Sequence, residues 1–138
     1  MASYECSSRT NYFRVTDEER YNELFENLVS NDEVYDFTKE ENGAVLHGFG
    51  SYGSIDYFLG DSEDEDCSFD DFLCELQKIL PDNQAFIYIE AGHEKLRYVT
   101  GYAIVCTNKN IKYINLDTYA IELAKSMLGT DFETEVDC

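Results

Sequence analysis

Ala85-Phe86-Ile87-Tyr88-Ile89, the stretch from Tyr98 to Cys106, and Ile111-Lys112-Tyr113-Ile114 are three consecutive segments with the composition of β-strands. Each is rich in β-branched and aromatic residues, and turn-forming residues separate them at 91–95 and 107–110. Connections this short join antiparallel strands, because a parallel pair needs a longer crossover. The sequence therefore predicts an antiparallel core sheet.

Apolar residues at helical spacing predict a first helix, from about Asp17 to Val29. Thr16, with Glu19 three residues later, matches the capping box that begins many helices. The apolar positions that follow at i, i+3, i+4 and i+7 are Tyr21, Leu24, Phe25 and Leu28. This spacing places them on one buried face.

Two more helices are predicted, one before and one after the core strands in the sequence. Ser68 caps the second, which ends at Pro81, and Asp117 caps the third, which ends near Gly129. The apolar positions are Phe69, Phe72, Leu73, Leu76 and Leu80 in the second helix, and Ala120, Leu123, Ala124, Met127 and Leu128 in the third.

Shorter strands are predicted in the first half of the chain, at 11–15, 34–37, 43–49 and 55–58, with Asn42-Gly43 as a hairpin signal. The order of elements indicates an α+β fold: an antiparallel sheet with about three helices packed on it, in a single domain. A doubly wound parallel sheet fits less well, because too few strands are separated by helices.

Composition favours a folded cytoplasmic chain. The 138 residues are 43% hydrophobic and 14% aromatic, which argues against disorder. No linker-like stretch divides them, and the acidic tail from Thr130 to Cys138 is a candidate mobile segment. No secretory signal or membrane span is predicted. Five cysteines without a CxxC pair fit reduced thiols better than a disulfide framework.

Charge is the most unusual property of the sequence. The chain has 29 acidic and 10 basic residues, a net charge of −19, and 40–77 contains eleven acids and neither Lys nor Arg. So acidic a surface repels nucleic acid and anionic lipid, which are themselves negative. We therefore expect a basic protein as partner.

The acidic residues follow a pattern on the predicted helices. Glu19, Glu23 and Glu26 recur at i, i+4 and i+7 opposite the apolar stripe of the first helix. At 1.5 Å per residue these carboxylates are about 5 to 6 Å apart along the axis, which is close to phosphate spacing along a nucleic-acid strand. Like charges at this spacing disfavour a helix. The predicted partner-binding residues are Glu19, Glu23, Glu26, Asp61, Glu63, Asp64, Glu65, Asp66, Asp70, Asp71 and Glu75.

Side chains flanking the acidic loop are candidate apolar anchors for that partner. They are Tyr52, Tyr57 and Phe58, and packing in the core is the alternative for them. An ordinary acidic surface that serves solubility is likewise the alternative for the carboxylates.

Two binding motifs are incomplete. The segment 48–53 matches G-x-G-x-x-G, but a strand and then acids follow it where a dinucleotide site needs a helix, so a glycine-rich turn or bulge is favoured. Asp64, Asp66, Ser68, Asp70 and Glu75 have calcium-loop spacing, but Phe69 occupies the position that needs Gly. We predict neither a cofactor nor a metal site.

An enzymatic alternative rests on His93 and Glu94, which could exchange protons, with Cys106 or Cys74 as nucleophile. No spacing enforces that geometry, and two histidines give no zinc-ligand pattern. A structural hairpin connection is favoured for 91–98.

Two stretches, 8–15 with the helix that follows and 90–102, resemble small accessory proteins of phages and conjugative elements of Gram-positive bacteria. The resemblance covers roughly a third of the chain, and its motif identifies no catalytic centre. It implies a context, because mobile elements often encode small acidic proteins that block host restriction enzymes or CRISPR nucleases. We therefore expect a non-enzymatic inhibitor of anti-CRISPR or anti-restriction type that mimics nucleic acid in a basic groove. A regulatory adaptor for another basic protein is the alternative.

Overall fold

The fold is α+β, with three helices and a mainly antiparallel sheet. The structure, a computed structural model, describes residues 5–30, 32–58, 68–94 and 97–129. The helices are α1 (Glu18–Glu26), α2 (Phe69–Gln77) and α3 (Leu116–Leu128). No described helix has the length and apolar character needed to cross a membrane.

Ten strands are present in the described part of the chain. They are β1 (Glu5–Thr10), β2 (Leu28–Ser30), β3 (Val34–Asp36), β4 (Lys39–Glu41), β5 (Ala44–Leu46), β6 (Phe49–Ser51), β7 (Ile55–Tyr57), β8 (Phe86–Glu94), β9 (Arg97–Cys106) and β10 (Ile111–Asn115). The main sheet has the order β10-β9-β8-β1-β6-β3, while β2 pairs with β7 and β4 with β5. The three predicted core strands are confirmed as the antiparallel run β8-β9-β10.

One face of the main sheet, the core face, supports the hydrophobic core. Phe86 is fully buried. Its ring centroid lies 5.1 Å from that of Phe13 and 5.9 Å from that of Phe72 on α2. Tyr21 and Leu24 of α1 belong to the same buried cluster. The apolar stripes predicted for the first two helices therefore both contribute to this core.

The other face of β8, β9 and β10 is the open face, whose side chains are exposed or half-buried. Strand alternation and the register of these three strands assign its positions. They are Ile87, Ile89, Ala91, Val99, Gly101, Ala103, Val105, Lys112 and Ile114. Helix α3 begins on this face, because the Leu116 side chain lies 3.3 Å from the position that a Cβ on Gly101 would occupy.

Helix α3 differs from the other two helices because none of its residues is buried. Met127 and Leu128, on its predicted apolar stripe, are 78% and 58% exposed. Its inner side consists of half-buried residues such as Ile121 and Ala124. The helix also begins two residues earlier than predicted, with Asn115 rather than Asp117 as the N-cap, while its predicted end at Gly129 is confirmed by a left-handed φ of 70°.

Two predictions for the N-terminal region are wrong in detail. The first strand is β1 rather than 11–15, where Phe13 forms only an isolated bridge to His47. Asp17, not Thr16, caps α1, because its carboxylate accepts the Arg20 backbone N–H at 3.0 Å. The predicted helix also runs too far, since 28–30 form β2.

The Asn-Gly hairpin is confirmed, but its strands are β4 and β5. Asn42 and Gly43 have φ values of 53° and 80°, as a tight hairpin turn requires. The preceding strand β3 and the following strand β6 pair antiparallel in the same register as β4 and β5.

The glycine-rich segment, predicted as a turn or bulge, contains strand β6 instead, followed by a bend at 52–53. A Cβ on Gly50 would lie 2.7 Å from the Ser8 carbonyl oxygen and 3.1 Å from the Phe37 ring. Gly50 therefore allows close approach between strands, and β7, rather than a phosphate-binding helix, follows the motif.

Candidate partner-binding surface

Helices α1 and α2 lie side by side over the core face and turn their acidic residues to solvent. We refer to these six residues as the acidic layer: Glu19, Glu23, Glu26, Asp70, Asp71 and Glu75. Five are exposed and Glu75 is half-buried. The structure therefore brings the predicted carboxylates of two helices together on one side of the molecule.

The arrangement on α1 follows from its amphipathic sequence. Tyr21 and Leu24 point into the core, so Glu19, Glu23 and Glu26 lie on the opposite side. Glu19 stands in the first turn, where a negative charge favours the helix dipole. That stabilisation fades within a turn and does not account for Glu26 at the end of the helix.

The acidic residues of α2 have local roles as well. The Asp71 carboxylate accepts the backbone N–H of the N-cap residue Ser68 at 2.8 Å. This is one of the two hydrogen bonds of a capping box, and Ser68 is the predicted cap. Asp70 accepts the hydroxyl of Tyr113 on β10 at 2.5 Å. This hydrogen bond raises the pKa of Tyr113 to about 12. These contacts hold both carboxylates at fixed positions on the surface.

Basic residues interrupt the acidic layer at one point. The Arg20 guanidinium lies 2.9 Å from a Glu23 oxygen and 2.9 Å from a Glu75 oxygen. Lys78 also pairs with Glu75, at 2.5 Å. The hydrogen bond from Lys78, followed by that from Arg20, lowers the pKa of Glu75. Glu75 is therefore already paired within the protein and offers a partner less charge than the sequence suggests.

The remaining predicted partner-binding residues, Asp61, Glu63, Asp64, Glu65 and Asp66, lie outside the described residues, as does the predicted tail at 130–138. Among the candidate anchors, Tyr57 is buried in the core. Tyr52 and Phe58 are exposed, by 72% and 55%.

A buried hydrogen-bonded cluster around His47 was not expected from the sequence. Its Nε2 lies 2.5 Å from a Glu18 carboxylate oxygen, and its Nδ1 lies 3.1 Å from the Thr38 hydroxyl. The ring also stacks on Tyr21, with centroids 4.0 Å apart. Both ring nitrogens are engaged, so the cluster attaches α1 to the hairpin region. A single histidine in an apolar segment gives no sequence signal for these partners.

The geometry at His93 and Glu94 does not assemble an acid–base pair. The register of β8 with β9 is irregular between Gly92 and Glu94, so His93 and Glu94 lie at a distorted strand end. His93 Nε2 instead faces Glu5, at 3.8 Å.

Of the two suggested nucleophiles, Cys74 is exposed on α2, whereas Cys106 is fully buried. Burial raises the pKa of the Cys106 thiol to about 11. Its reactive thiolate form is therefore disfavoured near neutral pH.

The described residues contain no group of three or more His, Cys, Asp or Glu side chains arranged to hold a metal ion. The calcium-loop spacing also fails on geometry, because its second half, from Phe69 to Glu75, is helical. Asp64 and Asp66, which would open that loop, lie outside the described residues.

The predicted partner-binding residues that the structure describes are thus carboxylates on two adjacent helices, and five of the six are exposed. Comparison with protein-family models, with curated proteins and with solved structures finds no match to this chain.

Proposed function

We propose that this protein is a non-enzymatic inhibitor that mimics nucleic acid and occupies the basic groove of a host-defence nuclease. In this proposal it acts in the cytoplasm of a bacterial host, as an anti-CRISPR or anti-restriction protein. The observation that carries the proposal is the acidic layer, in which adjacent helices expose carboxylates on one side of a chain with net charge −19.

The physical gain comes from replacing nucleic acid in a site built for it. A basic groove attracts an acidic protein from a distance and raises the association rate. Binding also releases counterions from both surfaces, as nucleic-acid binding does. Inhibition should therefore weaken steeply as salt concentration rises, and additional nucleic-acid substrate should compete with the inhibitor.

The acidic layer supports groove binding better than catalysis. Five of its carboxylates are exposed on a helical surface, and Arg20 fixes the relative position of α1 and α2 through Glu75. Because folded helices carry these carboxylates, binding need order only their side chains and not the backbone. By contrast, His47 has both ring nitrogens occupied, and His93 Nε2 faces Glu5.

The test is a DNA-cleavage assay with a panel of purified Cas and restriction nucleases, at 50 and 500 mM NaCl. One variant carries Glu19→Lys, Glu23→Lys and Glu26→Lys on the acidic layer. A matched variant carries Glu5→Lys, Glu40→Lys and Glu122→Lys, which changes the net charge equally but lies outside that layer. Circular dichroism and thermal unfolding verify that both variants remain folded.

We expect the native chain to inhibit at least one nuclease competitively with DNA, and more strongly at low salt. The acidic-layer variant should lose at least tenfold in inhibition constant, and the matched variant much less. Equal losses in both variants would mean that only net charge matters, and unchanged inhibition by the acidic-layer variant would place the functional surface elsewhere.

A further inference from the structure

The open face exposes apolar side chains that nothing in the described chain covers. Ile89 and Val99 are each 54% exposed, and Ile114 is 41% exposed. Leu116, which packs on the same face, is 63% exposed, and Leu123 extends the apolar surface along α3 at 50%. Single exposed apolar residues are ordinary, but neighbouring ones on a sheet and an adjoining helix mark a binding surface.

Charge is distributed unusually on this face. None of its nine positions is acidic, although 29 of the 138 residues of the chain are Asp or Glu. Lys112 is the only charged residue among the nine. A basic partner would gain affinity from carboxylates, so their absence does not favour such a partner. An acidic partner, in contrast, meets the least repulsion here.

Arg9 adds a positive group beside the open face. It lies on β1 opposite Ile89, and its guanidinium stacks 4.2 Å from the Phe37 ring centroid. Its side chain donates a hydrogen bond to the Tyr12 hydroxyl at 3.3 Å and pairs with no carboxylate in the described chain. A groove of about 550 Å³ lies between Arg9 and the exposed Tyr52 and continues to Ile89. The groove offers apolar walls and a cation to an acidic protein.

We propose that the open face, with the adjoining exposed side of α3, is the interface of a homodimer of this chain. A second copy is an acidic protein present at the same concentration, and the acid-free sheet positions are where two chains of charge −19 meet the least repulsion. The α3 part of the interface carries one exposed carboxylate, Glu122, which pairs with Lys125 at 3.6 Å. A two-fold axis would bring the same patch of each chain together.

The dimer places the two acidic layers on outward sides, because α1 and α2 cover the core face of each sheet. This inference does not depend on the function proposed above. The dependence of binding on salt concentration also distinguishes the two proposals. Screening reduces repulsion between the two acidic chains, so an apolar dimer interface should strengthen with salt, whereas binding to a basic groove should weaken.

The experiment is sedimentation velocity on the full chain from 1 to 100 μM, at 50 and 500 mM NaCl. We expect a concentration-dependent shift from the monomer mass of 15.9 kDa to twice that value, with a smaller dissociation constant at 500 mM NaCl. Ile89→Glu and, separately, Leu123→Glu should raise that constant at least tenfold, because each places a carboxylate in the interface.

Val45→Glu is the matched control, since Val45 is 37% exposed on β5, away from the open face. It should leave the dissociation constant within about twofold of the native value. Both interface positions are at least half exposed, so the variants should fold, which thermal unfolding verifies. A chain that stays monomeric at 100 μM in 500 mM NaCl, or a dimer unaffected by both interface variants, would overturn the proposal.

Discussion

The guanidinium of Arg20 lies 2.9 Å from a carboxylate oxygen of Glu75, and this ion pair connects α1 to α2 across the acidic layer. Arg20 also holds Glu23 on its own helix, so one cation separates two carboxylates that would otherwise repel each other. Both pairs are partly exposed, so each contributes little to stability. Their larger effect is to fix the arrangement of charge on the surface.

Arg20→Gln should lower the free energy of unfolding by about 0.5–1.5 kcal/mol, because it removes two partly exposed ion pairs and leaves Glu75 with Lys78 as its remaining cation. Urea denaturation monitored by circular dichroism measures the change. Glu23→Gln is the control, since it removes one pair and keeps the contact between helices. An equal loss in both variants would show that the Arg20–Glu75 contact contributes nothing.

The ion pairs of Glu75 should also make stability depend on pH. Lys78, and then Arg20, lower the pKa of this carboxylate in the folded protein below its ordinary value of 4.5. The contribution of Glu75 is therefore present above that ordinary pKa and is lost as pH falls through the lower, folded-state pKa.

The measurement is the difference in unfolding free energy between the native chain and Glu75→Gln, from pH 7 to about pH 3. Taking a difference cancels the protonation of the other carboxylates. It should be constant near neutral pH and shrink as pH falls below about 4.5. Glu26→Gln removes a carboxylate without an ion pair in the described chain and should show a much flatter profile. A flat profile for Glu75→Gln would contradict the prediction.

Two buried tyrosines should respond in opposite ways to loss of the hydroxyl. The Tyr21 hydroxyl is buried and has no hydrogen-bond partner in the described chain. Tyr88 instead donates to the buried Glu90 at 2.8 Å and accepts the Ile55 backbone N–H at 3.2 Å. Tyr21→Phe should leave stability unchanged or raise it by up to about 1 kcal/mol, whereas Tyr88→Phe should cost about 1–3 kcal/mol.

Chemical or thermal denaturation of the two variants tests this contrast, and each serves as the control for the other because both lose one oxygen atom. Destabilisation by Tyr21→Phe as large as that by Tyr88→Phe would mean that the Tyr21 hydroxyl has a stabilising partner. That partner would lie close to His47, because the Tyr21 ring stacks on the His47 ring.

Cysteine reactivity should follow burial. Cys74 is exposed on α2, while Cys106 is buried and the pKa of its thiol is raised to about 11. At pH 8 only about one Cys106 in a thousand is a thiolate, so iodoacetamide should modify Cys74 far sooner. Peptide mass spectrometry of the native and guanidinium-unfolded protein measures both sites. Equal rates in the native protein would contradict the burial of Cys106.

The core strands could be predicted from sequence because their composition and short turns are local signals. Predicted strands at 85–89, 98–106 and 111–114 coincide with parts of β8, β9 and β10, except that Ala85 precedes β8. The first strand was misplaced because β1, with Ser7, Ser8 and Arg9, has little apolar character of its own. It belongs to the sheet through its position between β8 and β6, a non-local pairing.

The spacing of the acidic residues could be predicted from the sequence, but their ion pairs could not. Helical spacing correctly placed Glu19, Glu23 and Glu26 away from the core. The contact from Arg20 to Glu75 spans 55 positions and depends on how α1 packs beside α2. The apolar stripe of α3 is not buried, for a related reason. Periodicity predicts an apolar helix surface but not which part of the protein covers it. That stripe adjoins the open face of the sheet.

Gly50→Ala tests the close approach of β6 to its neighbours. The added Cβ would lie 2.7 Å from the Ser8 carbonyl oxygen, a backbone atom of the paired strand, and 3.1 Å from the Phe37 ring. The strands must separate to accept it, so we expect a loss of about 1–3 kcal/mol in unfolding free energy.

Gly101→Ala is the matched control, because its Cβ would meet only the Leu116 side chain, at 3.3 Å, which can move. It should cost less than Gly50→Ala, and urea denaturation of both variants gives the comparison. If Gly50→Ala were neutral, the glycine would not be needed for strand packing, and its place in the glycine-rich segment would require another explanation.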